Sequence, residues 1–358
     1  MIRTIRDAYL TARGQAPRFV QKTVERGVGS GRLSDLLRRA GSSRDVDPAG
    51  VIRIDRVSEH HTAQWMSRDG KTSIRLEVFF TDEDTIQNTI QNTVDPFVEV
   101  LHAYVHVLNS LLDQKRPEKK PERIVMGIAL FGTKRKLFDV AKDGRRGVGP
   151  EHTVAGVTYF DGNSTSVHDS IVFREEDWAK VVLHELVHAY GLDDYAVGSQ
   201  QIQLETAWKA KYKLRVSDLH LHEAHTEALA ALLYLVMHVA SRSTSADFSQ
   251  RFCKKFEAFL VKFIDTAHML YFTCRDASGF FTERAASFSY YVVKCALLLN
   301  LERYVAFCSE DLFIENAHKY YTLVDESLQT LTEMWDEYVP SKVPRSKVSI
   351  RLMYGLPL

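Results

Sequence analysis

Residues 178–191 read WAKVVLHELVHAYG, and they decide how the rest of the chain is read. They carry His184, Glu185 and His188 in the order H-E-x-x-H. On a helix, residues four apart share a face one turn apart, so both imidazoles can reach one ion. Glu185 falls about 100° round the helix, where a carboxylate can take a proton from a metal-activated water. Ala179, Val182, Leu183, Leu186 and Tyr190 make an apolar arc on the other side. That pattern predicts a helix over 175–190, stopped by Gly191. Six of the fourteen histidines lie between residues 184 and 238, which concentrates the chemistry there.

A zinc site needs a third protein ligand, and two residues compete for the role. Glu223 lies in LHEAHTE, residues 221–227, where it shares a helical face with Glu227 and His220. Two carboxylates on one face of an otherwise apolar helix need a counter-charge, which a metal supplies. Asp194 is the rival, because the chain also reads H-E-x-x-H-x-x-G-x-x-D from His184. That pattern comes close to a second ligand spacing, H-E-x-x-H-x-x-G-x-x-H. It also expects a methionine turn, and Met237, the nearest downstream methionine, lies in an apolar helical run. Asp193 or Asp194 also suits a supporting role, accepting the free N–H of a ligand histidine. Tyr190, Tyr195, His220, His225 and Tyr234 are candidates to stabilise an oxyanion. Two histidines and a carboxylate also suit iron(II), although the helical spacing favours zinc.

Strand patterns lie before residue 175 and helical patterns after it, which predicts an α+β fold with a mixed sheet. Strands are expected at 51–56, 73–80, 124–131, 153–160 and 166–173. Ile86, Ile90 and Val94 form a helical stripe, and Asp95-Pro96 reads as a cap and first-turn proline for a helix to Leu112. The stretch 142–150 is a Gly-rich loop. Later helices are expected at 203–213, 218–239, 247–270, 282–300 and 314–338. This organises the chain into a basic arm at 1–50, a sheet-containing part at 51–195, a helical part at 196–338 supplying the third ligand, and an extended tail at 339–358.

Charge narrows the function classes. The 358 residues carry 46 Lys+Arg against 46 Asp+Glu, so the net charge is zero, which argues against nucleic acid as a partner. Residues 1–50 hold ten Lys/Arg against five Asp/Glu, which reads as a loosely folded arm able to contact an acidic partner. The longest apolar run, Ala228 to Ala240, is shorter than the about twenty residues of a membrane span. No continuous apolar core marks a secretory signal in the first thirty residues, and the four cysteines form no C-x-x-C pair. An intracellular protein with reduced thiols is expected; the Arg-rich start also suits a mitochondrial presequence.

The motif residues resemble the zincin metallopeptidases. With Glu223-x-x-x-Glu227 on a second helix, the chain is similar to the gluzincin branch. That resemblance implies a zincin-like fold and one zinc ion held by His184, His188 and Glu223. It also implies Glu185 as general base, with Glu227 orienting a histidine. Glu227 stands where that branch usually carries Asp. The run Ile171 to Trp178 leading into the motif also resembles metallopeptidases of large DNA viruses, which would imply a virion setting. The function expected is zinc-dependent hydrolysis of a peptide or protein substrate, with residues 153–160 as an edge strand that receives it. Alternatives are a zincin-fold structural or interaction protein with little turnover, and a zinc hydrolase acting on a non-peptide bond.

Overall fold

The computed structural model describes residues 1–13, 15, 17, 20–26, 29–40, 57–81, 94–130, 155–160, 167–173, 178–193, 199–216, 219–276 and 287–337. Among these residues are ten α-helices and a six-stranded mixed sheet, an α+β composition. The chain divides into two compact units.

The sheet unit lies within residues 2–134 and 154–191. Its strands are β1 (Gln21–Arg26), β2 (Val57–Met66), β3 (Ser73–Thr81), β4 (Arg123–Ile128), β5 (Gly156–Phe160) and β6 (Val167–Val172). They are ordered β1-β2-β3-β4-β6-β5. The central pairs β3–β4 and β4–β6 are parallel, while β1–β2, β2–β3 and β5–β6 are antiparallel. Parallel strands are normally covered on both faces, and β4 fits, with Ile124, Val125, Met126 and Ile128 all buried. Helices α1 (Ile2–Ala12), α2 (Gly29–Ala40), α3 (Asp95–Asp113) and α4 (Trp178–Ala189) complete this unit.

The N-terminal segment departs from the expected loose arm. Helix α1 turns Ile5, Ala8 and Ala12 inward and packs against α3. Strand β1 is a full member of the sheet. Leu33, Leu36 and Leu37 of α2 join a core with Phe79, Ala129, Ile171 and Phe173. Apolar residues three and four apart drive that packing despite the basic composition. Several of the basic groups are matched within the unit: Lys22 pairs with Asp95, and Arg32 reaches Glu77 with two hydrogen bonds of 2.8 and 2.9 Å.

Glu77 is the charged hub of this face. Its side chain is fully buried, with Arg32, Arg75 and His60 around it. Burial alone would raise its carboxyl, but the His60 imidazole 3.5 Å away, the two hydrogen bonds from Arg32 and the charges of Arg32 and Arg75 outweigh that, holding it at about 2.

The helical unit lies within residues 135–153 and 192–358, with Met1. It contains α5 (Ser199–Lys211), α6 (Leu221–Ala240), α7 (Phe248–Asp276), α8 (Lys294–Leu299), α9 (Leu301–Glu310) and α10 (Ala317–Glu337). A π-helical turn, Ser289–Val293, runs directly into α8. The helix expected to end near Asn300 is therefore interrupted by a π turn and followed by a separate α9. In α3, Asp95 lies inside the first turn; Val94 is the cap residue, with no side-chain capping bond. Cys274, Cys295 and Cys308 are buried, Cys253 is exposed, and all four are free thiols. Among the described residues no helix is long and apolar enough to cross a membrane. The expected strand at 51–56, Ile86 and Ile90, the loop at 142–150 and the tail at 339–358 lie outside the described residues.

Candidate metal centre

Helix α4 is buried along its length, from Ala179 to Ala189. The apolar arc alone does not account for this, because His184, Glu185 and His188 are also at most 9% exposed. Burying three polar side chains on one helix is costly unless they have partners. The imidazoles stand edge to face with centroids 4.8 Å apart, and their Nε2 atoms are 3.1 Å apart. Two nitrogens bound to one tetrahedral zinc at 2.0–2.1 Å would be about 3.3 Å apart. The observed spacing fits a shared ion.

The end of α4 follows from Gly191, whose φ of 60° is the left-handed geometry that glycine adopts without strain. Its N–H donates to the His188 carbonyl at 2.7 Å. Just before it, Tyr190 is buried and its hydroxyl donates to Asn109 Oδ1 at 2.8 Å. Burial pushes the Tyr190 hydroxyl well above its ordinary pKa. That hydroxyl is thereby engaged in anchoring the helix end, which removes Tyr190 as an oxyanion donor.

Glu185 faces β5. Thr158 Oγ1 donates to Glu185 Oε2 at 2.7 Å and lies 3.1 Å from the Glu185 carbonyl oxygen. Thr158 is also 2.9 Å from Ser170 Oγ of β6. Gly156 leaves room for the other carboxylate oxygen: a Cβ there would lie 2.6 Å from Glu185 Oε1 and 2.8 Å from Val181 Cγ1. Among the described strands β5 is an edge of the sheet, antiparallel to β6. The expected edge strand is thus found, in the shorter span Gly156–Phe160. The roles of Thr158 and Gly156 were not read from the sequence. Their alternation with Val157 was the available signal, since it places residues 156 and 158 on one face.

Glu223 sits in the first turn of α6, half-buried, with Oε1 3.7 Å from His222 Nε2. His184, His188 and Glu223 each offer one ligand atom, and these atoms all lie within 4.8 Å of one another, a group suited to hold a metal ion. Nitrogen–nitrogen–carboxylate is a donor set that divalent zinc accepts. The rival ligand Asp194 lies outside the described residues, as does Tyr195. Asp193 is buried, and its charge acts on His225 and Tyr320.

The remaining histidines of the region have different surroundings. His225 is fully buried, with Nδ1 3.2 Å from the Tyr304 hydroxyl and rings of Tyr304, Phe307 and Tyr320 around it. Burial lowers it to about 4, so it is a neutral core histidine. His238 stacks on Tyr234. His220, just before α6, has a φ of 43°, a left-handed geometry that a non-glycine residue adopts at some cost. Glu227, one turn beyond Glu223, accepts from Lys294 Nζ at 2.7 Å. The counter-charge expected for this acidic face therefore includes a lysine of the chain itself.

No protein-family model matches the chain, and neither a curated protein nor a solved structure does.

Proposed function

We propose that the protein is a zinc-dependent metallopeptidase of zincin type. The observation that carries this reading is the group His184, His188 and Glu223, with its ligand atoms within 4.8 Å, beside a glutamate that follows the first ligand directly. Zinc at such a site lowers the pKa of a water to about 7 and polarises a carbonyl oxygen. Glu185 accepts the proton released by the attacking water and passes it to the departing amine. The Thr158 hydroxyl holds one carboxylate oxygen of Glu185, which fixes the direction of that transfer. An extended peptide adds to β5, an edge among the described strands, and so brings its backbone alongside Glu185.

The test is metal content by mass spectrometry, followed by turnover on a peptide library. One zinc per chain in wild type, lost in Glu223→Ala, together with peptide cleavage absent in Glu185→Gln, is the expected result. Zinc with no cleavage would point to an interaction protein or to a non-peptide hydrolase. Zinc retained in Glu223→Ala and lost in Asp194→Ala would move the third ligand to Asp194. A wild-type chain that takes up no zinc would overturn the reading.

A further inference from the structure

Lys294 is a fully buried lysine inside the apolar run 290–299, YYVVKCALLL. Its Nζ donates to Glu227 Oε2 at 2.7 Å, and the same ammonium lies 4.4 Å from the Phe263 ring centroid and 5.7 Å from that of Tyr291. Glu227 is itself 9% exposed. A buried ammonium stays charged only beside a carboxylate, and aromatic faces add to its retention.

The backbone accounts for how Lys294 comes to point there. The π-helical turn Ser289–Val293 ends at Lys294, whose N–H donates to the Ser289 carbonyl. A π turn carries one residue more than an α turn, which rotates the following side chains by about 100°. Such single turns are often found at functional sites. Without that extra residue, Lys294 would project to a different side of α8.

Glu227 and Glu223 are four residues apart on α6, so they share a face. A helix is a stiff rod, and fixing the direction of one side chain fixes its rotation about its own axis. We infer that Lys294 is a positioning residue for the metal group: by holding Glu227 it sets the rotation of α6 and thereby the direction of the Glu223 carboxylate. This rests on the metal-site reading above. The competing account is that the pair serves stability alone.

The experiment uses the full-length chain with cobalt(II) as a spectroscopic probe and zinc affinity from competition with a chromophoric chelator. Lys294→Met alone would strand a buried carboxylate, so the main variant is Lys294→Met with Glu227→Leu, which removes both charges together. Circular dichroism and the unfolding midpoint report its fold. The expected result is a folded protein with zinc affinity weakened about 10- to 100-fold, the range for supporting residues, and a changed cobalt absorption band. Glu227→Asp, which keeps the charge and shortens the reach, is the second variant and should weaken zinc several-fold, while Lys294→Arg should stay near wild type. If the double variant folds and keeps the wild-type affinity and band, the inference is overturned. If the double variant does not fold, unchanged affinity in Glu227→Asp overturns it in the same way. Wild-type protein that binds neither cobalt nor zinc would instead remove the metal-site reading, and this inference with it.

Discussion

The hydroxyl of Thr158 lies 2.7 Å from Oε2 of Glu185, so the edge strand β5 holds the carboxylate that the motif supplies. Hydrogen bonds to charged groups contribute about 1.5–3 kcal/mol, and about 1.4 kcal/mol in a barrier is tenfold in rate. Thr158→Val should therefore lower kcat about tenfold with zinc content unchanged, and Thr158→Ser should keep most of it. Steady-state kinetics beside metal analysis decides this. A Thr158→Val variant with wild-type kcat would show that Glu185 needs no such support.

Gly156 is required by closeness rather than by backbone angle. A methyl group there meets Glu185 Oε1 at 2.6 Å and Val181 Cγ1 at 2.8 Å, so the Glu185 carboxylate must leave its place and Val181 or the backbone of β5 must give way. Overpacking of this kind costs about 1–3 kcal/mol. Gly156→Ala should lower the urea midpoint with no change of slope, and should lose turnover along with stability. An alanine variant as stable and active as wild type would mean that β5 yields freely at this point.

Metal removal should be visible in stability. A ligand at about 1,000 times its Kd stabilises the folded form by about 4 kcal/mol. Chelation should lower the thermal midpoint of wild type, while Glu223→Ala should already sit at the chelated value and respond no further. Scanning calorimetry with and without chelator measures both. A full chelator response in Glu223→Ala would exclude that residue from the ligand set.

Acid should weaken the sheet unit through Glu77. Its carboxyl is held at about 2 in the fold, below the ordinary value of 4.5. A depressed carboxylate stabilises above the unfolded value, and that contribution is lost as pH falls through the folded one. The window is thus about pH 4.5 to 2, and the loss is about 3 kcal/mol at 1.36 kcal/mol per unit. Glu77→Gln should be less stable at neutral pH and flatter across that window. Urea titrations at several pH values test this; parallel curves for the two proteins would sink it.

The legible parts of the chain were those where one periodic pattern dominated. The motif helix and β3 were readable because their apolar residues recur at the period of the element, and α6 because its continuous apolar run is too long for a strand. Strand β2 was not, because Val57–Met66 contains Glu59, His60, His61 and Gln64, and its two histidines are buried against expectation. The N-terminal arginines suggested a solvated arm, yet Leu33, Leu36 and Leu37 carried the packing signal and Arg32 had a buried partner in Glu77. The pairing of His184 with His188 was readable from spacing, whereas Glu223 stood beside Asp194 as one of two candidates for the third position, and the resemblance favoured it. Lys294 and Thr158 were not readable, since their partners lie 67 and 27 residues away. A lone lysine in a run of ten otherwise uncharged residues was nevertheless a sign of a buried partner.

The four thiols make the unmodified chain its own reporter. Cys253 on α7 is open to solvent, while Cys274, Cys295 and Cys308 are shut inside the helical unit, and burial pushes the Cys295 thiol to about 12. A maleimide dye added to native protein should couple at a single address and give one label per chain without engineering. Any further equivalents of reagent are then consumed only as the helices part, so counting alkylated sulfurs against time clocks the opening of that unit under working conditions.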